Sequence, residues 1–156
     1  MFQISGLPRD RFEDFFQLDD DALAARGAKR YVANKAPGFP CRVSLEDAEP
    51  GERVLLIPYA HQPAQSPYRA HGPIFVRELA QTASVSPNTV PALLRSRMMS
   101  VRAYDARHLM IDAEVVDGRE LERSLTRVLG NERVQYVHLH YAAPGCYACR
   151  VDRDSR

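Results

Sequence analysis

Short apolar segments, each closed by turn-forming residues, dominate this sequence and limit what it can fold into. They have the length of β-strands, and they follow one another along the chain with few helical stretches between them. The clearest are VLLIPY (54–59), GPIFVREL (72–79), SVRAYD (100–105), HLMIDAEVV (108–116) and VQYVHLHYA (134–142). Strands that directly follow strands favour antiparallel pairing, since parallel neighbours need a crossover connection between them.

Helical patterns occur near the N-terminus and late in the chain. The clearest begins at Asp117, a suitable N-cap with Glu120 three residues later, and ends at Gly130. Shorter helices are expected over 11–18 and up to Ala25, with one helical turn near residue 91. We therefore predict a single α+β domain over residues 1–156. It would contain a mostly antiparallel or mixed sheet of hairpin-connected strands, with two or three helices packed on it.

The charge balance of the chain argues against several functional classes. Its 156 residues include 21 Lys and Arg against 20 Asp and Glu, whereas a nucleic-acid-binding protein usually has a basic excess. No apolar run approaches the ~20 residues of a membrane-spanning helix, and the N-terminus lacks a signal-peptide pattern. Three cysteines, an odd number, fit reduced thiols. We expect a cytoplasmic protein that binds neither nucleic acid nor membrane.

Two cysteines stand three residues apart in PGCYACR (144–150). If this stretch forms a regular strand, Cys146 and Arg150 point to one face, and Tyr147 and Cys149 point to the other. The two thiols then cannot form a disulfide or bind one zinc ion together. The spacing is therefore expected to be incidental.

Scattered residues could still assemble a metal site. The candidate ligands are Cys41, His61, His71, His138, His140 and Cys146. His138 and His140 lie two residues apart in a predicted strand, on one face, where two imidazoles can chelate an ion. The same pattern also describes a half-buried polar sheet surface, and the sequence has no motif for a phosphate, a dinucleotide or a zinc ion. We predict neither a metal nor a cofactor.

The segment PYAHQPAQSPYRAHGPIFVRE (58–78) contains the clearest candidate binding site. It predicts a long proline-containing loop between two strands, and such loops often bind ligands. An aromatic ring next to a guanidinium fork suits a carboxylate or phosphate, and a histidine can exchange a proton near neutral pH. We therefore predict a small anionic ligand bound through the 61–71 loop; a plain surface loop is the alternative. The expected ligand-binding residues are Tyr68, Arg69, His71 and Arg77.

Chemistry at this loop would need a base or a nucleophile. His71 is the candidate base, and Cys41 and Cys146 are the candidate thiols that it could activate. The alternative from a different class is a non-catalytic module that docks a partner protein, or a second copy of the chain, through an exposed apolar patch. The rings of that patch would be Tyr59, Tyr68 and Phe75. The sequence decides neither whether the chain is an enzyme nor its oligomeric state.

Four stretches together resemble one protein family. They are PGFPCRVSLEDAEPGE (37–52), SPYRAHGPIFVRE (66–78), VRAYDARHLMIDAEVVDGRELE (101–122) and HLHYAAPGCYACRVDR (138–153). In them the chain is similar to the bacterial family known as domain of unknown function 1203. The resemblance implies a small stand-alone bacterial protein and supplies no catalytic residues. The family pattern includes Cys41-Arg42, the stretch 66–69 and Cys146 with Arg150, but a small residue such as alanine is expected where this chain has Cys149.

Overall fold

The computed structural model describes residues 1–154. The strands in this part are β1 (Phe2–Ser5), β2 (Lys29–Val32), β3 (Arg53–Gln62), β4 (Ala70–Arg77), β5 (Met98–Tyr104), β6 (Met110–Asp117), β7 (Tyr136–Tyr141) and β8 (Tyr147–Arg153). The α-helices are α1 (Glu13–Phe16), α2 (Asp20–Ala25), α3 (Ala92–Arg95) and α4 (Leu121–Leu129). Short 3-10 turns, Arg9–Phe12 and Gly118–Glu120, precede α1 and α4.

The strands form two sheets. The larger has the order β1-β8-β7-β5-β6, and each neighbouring pair in it is antiparallel. The smaller has the order β2-β3-β4, with β2 antiparallel to β3. Strands that are consecutive along the chain are neighbours in the sheets at β2–β3, β3–β4, β5–β6 and β7–β8. The predicted α+β class with antiparallel sheets is confirmed.

The chain divides into two compact units. The first unit contains residues 1–5, 60–71 and the chain from residue 84 onward, and therefore the five-stranded sheet. The second unit contains 6–59 and 72–83, including the pairing of β2 with β3. The expectation of one domain stays a prediction.

In the first unit, α4 packs on one face of the five-stranded sheet and contacts β1, β5 and β6. Its apolar residues recur with helical spacing and so share one side of the helix. They are Leu121, Leu125, Val128 and Leu129, all buried. The buried strand residues of the same face are Ile4, Met99, Val101, Val137, Leu139, Cys149 and Val151. The predicted helix is confirmed over Leu121–Leu129. In the 3-10 turn that precedes it, the Asp117 carboxylate accepts a hydrogen bond from the backbone N–H of Arg119.

In the second unit, β3 lies between β2 and β4, as its continuous apolar run predicts. Val54 of β3 is fully buried, and Tyr31, Phe39 and Phe75 pack around it. The rings of Phe39 and Phe75 meet edge-on with their centroids 5.1 Å apart. This aromatic group closes the core of the unit.

One segment of the second unit, CRVSL, has a pattern that predicts a short strand, and this prediction is wrong. Residues 41–45, CRVSL, form a turn, because the backbone N–H of Leu45 bonds back to the carbonyl of Cys41 at 3.1 Å. Leu45 takes a left-handed conformation with φ 53°. Cys41 pairs with Phe75 through an isolated bridge. The apolar residues here are buried by a compact turn rather than by a ladder.

The 61–71 loop is shorter than predicted. β3 continues to Gln62 and β4 begins at Ala70, so a loop of seven residues, 63–69, remains. We call it the hairpin loop. The first and last residues of the predicted 61–71 loop therefore lie on strands at its base, where the backbone fixes their side chains more firmly than a loop would.

Candidate functional site

The face of the five-stranded sheet opposite α4 carries aromatic and basic side chains. The register places Arg102 opposite His138 and Tyr104 opposite Tyr136, and Arg150 lies opposite His138 on its other side. Because side chains alternate along a strand, each of these strands contributes every second residue to this face. We call it the polar face. Its members are Ser100, Arg102, Tyr104, Tyr136, His138, His140, Tyr147, Arg150 and Asp152.

A β-bulge in β8 brings Tyr147 onto the polar face. Cys149 pairs with Leu139, but the next pair is Tyr147 with His140, so Ala148 is an extra residue. The expectation that Tyr147 and Cys149 share a face is therefore wrong, because strict alternation ends at the bulge. Cys149 is buried on the apolar face, whereas the Tyr147 ring meets the His140 ring with centroids 5.8 Å apart.

The end of β3 lies against the polar face within the first unit. His61 stacks on Tyr147 with ring centroids 5.6 Å apart, and it meets His140 edge-on at 5.0 Å. The Gln62 amide donates from Nε2 to the Tyr136 hydroxyl at 2.9 Å. These contacts help to bury the rings that β7 presents on this face, which are 4% exposed or less.

The hairpin loop is fastened to the same face at its tip. The Ser66 hydroxyl donates to the carbonyl of His108 at 3.1 Å and accepts from the backbone N–H of Tyr68 at 3.1 Å. The Tyr68 ring meets Tyr104 edge-on, with centroids 6.1 Å apart. One hydroxyl and one ring therefore hold the loop at the margin of the polar face.

Tyr136 connects β3, the β5–β6 turn and β8 on this face. Its hydroxyl accepts from Gln62 and forms a second hydrogen bond with Nδ1 of His108 at 2.8 Å. Its ring stacks on Tyr104 with centroids 5.2 Å apart, and the guanidinium carbon of Arg150 lies 4.1 Å from its centroid. The ring is thus held in one orientation by a hydrogen-bond network and a cation–π contact.

The two arginines of the polar face differ in their charge partners. Arg150 forms a bidentate ion pair with Asp152, with its shortest N–O distance 2.7 Å. Arg102 donates from Nε to the Ser100 hydroxyl at 3.1 Å, and among residues 1–154 no carboxylate forms an ion pair with it. A partly buried guanidinium usually has an acidic partner, because removing it from water costs free energy. Arg102 has its charge uncompensated.

The imidazoles of the histidines next to Arg102 are neutral at neutral pH. Burial above all, together with the charges of neighbouring histidines and arginines, lowers the pKa of His138 to about 3. Burial, followed by the charges of Arg102 and His71, also lowers the pKa of His61. Additional positive charge is therefore disfavoured throughout this cluster, and negative charge is favoured.

Three of the predicted ligand-binding residues lie in the first unit. Tyr68 is 38% exposed, and Arg69 and His71 are also exposed. Within the described chain, the guanidinium of Arg69 has no hydrogen bond or ion pair. His71 is close enough to His61 to affect its pKa. The structure thus brings these residues to the margin of the polar face, and their role in binding stays a prediction.

Arg77 and Cys41, also predicted as site residues, lie together in the second unit. Arg77 pairs with Glu52 at 2.8 Å and with Glu46 at 3.2 Å, and donates to the Ser44 hydroxyl at 3.0 Å. The hydrogen bond with Glu52 raises the pKa of Arg77 and lowers that of Glu52. The backbone N–H of Arg77 donates to Sγ of the fully buried Cys41 at 3.3 Å. Both residues therefore have structural roles, and their functional roles stay predictions.

Two rings of the predicted interaction patch pack inside the second unit. Tyr59 meets Phe12 edge-on with centroids 6.1 Å apart, and Arg11 donates to its hydroxyl at 2.9 Å. Phe75 belongs to the aromatic group around Val54. These contacts explain the two rings as part of the core, and docking of a partner stays a prediction.

The three cysteines, all in the described part of the chain, form no disulfide and differ in accessibility. Cys41 and Cys149 are buried, and Cys146 is partly exposed in the turn before β8. The carbonyl of Cys146 accepts from the backbone N–H of Tyr141 at 2.9 Å, which closes that turn. Cys146 remains the candidate thiol nearest to solvent.

We expect a single thiol to react rapidly with Ellman's reagent in the folded protein, because reactivity follows exposure. All three should react in denaturant. Cys146→Ser should abolish the rapid phase, and Cys149→Ser should leave it intact. Rapid release of two equivalents from the native chain would contradict the assigned burial.

Sequence reasoning did not identify the polar face as a site. The available signal was spacing: Tyr136, His138 and His140 alternate along one strand, and Arg102 and Tyr104 have the same spacing on another. Their strand pairing could not be derived from that spacing, so the histidines were explained as a half-buried surface. Only the register brings them together.

His61 of β3 and the two histidines of the polar face are neighbours, with His61 and His140 centroids 5.0 Å apart and His138 and His140 centroids 6.5 Å apart. Across the described residues, however, no three His, Cys, Asp or Glu side chains are arranged to hold a metal ion. None of the described helices is long and apolar enough to cross a membrane.

The fold and the site define a small α+β protein whose antiparallel sheet has one apolar face under α4 and one aromatic, basic face. The chain belongs to the family described as protein of unknown function (DUF1203), which matches residues 38–153. The family resemblance seen in the sequence is thereby confirmed. Neither the curated proteins nor the solved structures contain a match to this chain.

Proposed function

We propose that the first unit binds a small anionic molecule at the margin of the polar face. Arg102 is the anchor, and Tyr68, Arg69 and His71 of the β3–β4 hairpin complete the site. The observation that carries the proposal is the uncompensated charge of Arg102, which is partly buried without an acidic partner in the described chain. Departures from the usual pairing of buried charge tend to occur at functional sites.

The surroundings of Arg102 support an anion over other ligands. A guanidinium offers a planar fork of N–H donors that matches a carboxylate or phosphate. His61 and His138 beside it are uncharged at neutral pH, so they do not repel one another and still offer hydrogen bonds. The carboxylate of Asp152 is occupied by Arg150 and does not compete.

Binding is proposed rather than catalysis. The catalytic roles suggested for His71, Cys41 and Cys146 rest on the sequence alone. The proposed location is the cytoplasm, since a reducing compartment keeps cysteines as thiols and the three cysteines are free.

We expect Arg102→Gln to weaken binding of acetate and inorganic phosphate by about 10- to 100-fold, the usual effect of removing one charged hydrogen-bond partner. The affinity of Arg102→Lys should lie between those of the unchanged protein and Arg102→Gln, because lysine keeps the positive charge but lacks the planar fork of donors. Affinity is measured by titrating the anions into labelled protein and following backbone amide shifts by NMR at low ionic strength.

Arg123→Gln is the matched control. Arg123 is exposed on α4, and its replacement by Gln removes one positive charge, as Arg102→Gln does. It should bind as the unchanged protein does. Equal affinity of Arg102→Gln and Arg123→Gln, with both folded by circular dichroism, would refute the proposed site. Shifts that never saturate with either anion would refute anion binding altogether.

A further inference from the structure

His138 adds a second polar contact to the proposed anion site. It lies directly opposite Arg102 in the register of β5 and β7. Its imidazole is 3% exposed, and Nδ1 is buried without a hydrogen-bond partner in the part of the chain that the structure describes. Directly opposite residues of antiparallel strands have Cα atoms only ~4.5–5.5 Å apart, so the side chains of Arg102 and His138 are neighbours on the same face of the sheet.

The surroundings of His138 explain why its nitrogen has no partner within the chain. Its ring centroid lies 5.1 Å from those of Tyr104 and Tyr136 and 5.3 Å from that of Tyr147. Aromatic rings fill the space around the imidazole without supplying a donor or acceptor to Nδ1. Leaving a buried polar atom unpaired costs about 1–3 kcal/mol, so such atoms are rare and call for an explanation.

Arg102 and His138 differ in charge, so each suits a different group of the ligand. Arg102 is a permanent cation and takes the anionic group. His138 is a neutral imidazole, because burial and the nearby charges lower its pKa to about 3. In a neutral imidazole Nδ1 either donates or accepts, depending on the tautomer. A hydroxyl satisfies either case, since it can both accept and donate, whereas a second carboxylate only accepts.

We infer that the site selects 2-hydroxycarboxylates: the carboxylate binds Arg102 and the adjacent hydroxyl bonds to Nδ1 of His138. This inference rests on the proposed function and names the ligand class of that site. A 2-hydroxy acid carries its hydroxyl on the carbon next to the carboxylate, which matches two side chains that stand directly opposite each other.

The rings around His138 include one that also contacts the hairpin loop. The Tyr104 ring lies 5.1 Å from the imidazole of His138, and the Tyr68 ring of the loop meets Tyr104 edge-on with centroids 6.1 Å apart. A ligand hydroxyl reaches the buried nitrogen only when the side chains packed around the imidazole shift, and the inference includes that movement.

The test compares lactate with propionate, which differ only by the 2-hydroxyl. Both are titrated into the unchanged protein, and binding is followed by NMR. Lactate should bind about tenfold more tightly, which corresponds to the free energy of one buried hydrogen bond. His138→Leu should remove this preference and leave propionate affinity unchanged. Arg102→Gln should weaken both ligands by the same factor.

The outcomes separate the two proposals. Equal affinity of lactate and propionate for the unchanged protein overturns the selection of 2-hydroxycarboxylates and leaves anion binding intact. Failure of both ligands, together with acetate and phosphate, overturns the proposed function itself. A lactate preference that survives in folded His138→Leu also overturns the assignment, because the hydroxyl is then recognised elsewhere. The ligand comparison on the unchanged protein needs no variant to fold.

Discussion

Lowering the pH from about 7 to about 4 is expected to reduce the free energy of unfolding by about 3 kcal/mol through His138 alone. The cause is the difference between its pKa in the folded and unfolded chain. Burial among aromatic rings and beside other cations lowers the pKa from 6.5 to about 3 in the folded protein. In the unfolded chain the imidazole returns to its ordinary value.

The sign follows from proton uptake. As the pH falls below 6.5 the unfolded chain binds a proton on His138, and the folded chain does so only near pH 3. The unfolded state therefore binds more protons throughout this window and is favoured progressively. Full stability is present above pH 6.5, and the loss is complete below about pH 3.

The measurement is urea unfolding at several pH values for the unchanged protein and His138→Leu. The variant has no imidazole to titrate, so the difference in pH dependence between the two isolates this residue from the carboxylates. His71→Gln is the control, since His71 is exposed and its replacement should leave the acid sensitivity in place. If the stability of His138→Leu falls with acid as steeply as that of the unchanged protein, the assignment of His138 as a buried, neutral imidazole is wrong.

Gly118→Ala is expected to destabilise the fold by about 3 kcal/mol, at the upper end of overpacking effects. Gly118 lies just after β6, and its backbone N–H donates to the carbonyl of Arg97 at 2.8 Å. An added Cβ would lie 1.9 Å from the Leu94 carbonyl oxygen and 2.7 Å from that of Arg97. Both are backbone atoms, so α3 and the start of β5 would have to shift.

Gly72→Ala provides the matched control, because no atom lies within 4 Å of its added Cβ. Its stability should stay within about 0.5 kcal/mol of the unchanged protein. Both variants are compared by urea unfolding, with the slope of the transition checked for two-state behaviour. A Gly118→Ala protein as stable as Gly72→Ala would contradict the close approach of α3 to this glycine.

The elements predicted well from the sequence are those whose local signals agree. The segment of α4 has a suitable capping residue at Asp117, an apolar stripe and a terminating glycine, and all three predict the same helix. In the structure Asp117 caps the 3-10 turn that leads into α4. The hairpin of β5 and β6 follows from two strand-like runs around a short polar turn. For these segments local propensity and tertiary packing favour the same structure.

The failures come from interactions that are distant in the sequence. The apolar runs predict that strand character ends at Tyr59 and resumes at Gly72, yet β3 extends to Gln62 and β4 begins at Ala70. β4 accommodates Pro73 because it is an edge strand, which does not need an N–H donor on its open side. In β6 the acidic residues face α4, where Arg127 pairs with Glu114 at 2.6 Å, while Val115 is 61% exposed. Apolar alternation alone would have predicted the reverse.

The polar face illustrates the same limit for the site. Alternation predicts that His138 and His140 share a face, but the placement of Arg102 opposite His138 depends on register. The position of Tyr147 depends on the bulge at Ala148, which has no signature in PGCYACR. Sequence reasoning therefore identified residues at the margin of the proposed site, in and next to the hairpin loop, and not Arg102 and His138, which the proposal places at its centre.

The most direct test of the central proposal observes the Arg102 side chain itself. Titration of lactate into protein labelled with ¹⁵N arginine, followed at the Nε–H resonances, should shift Arg102 in a saturable way and leave Arg123 unchanged. Replacing Arg102 by Gln identifies its resonance. An Arg102 resonance that stays in place while lactate is added, or that moves without saturation together with every other arginine, would contradict an anion site on the polar face.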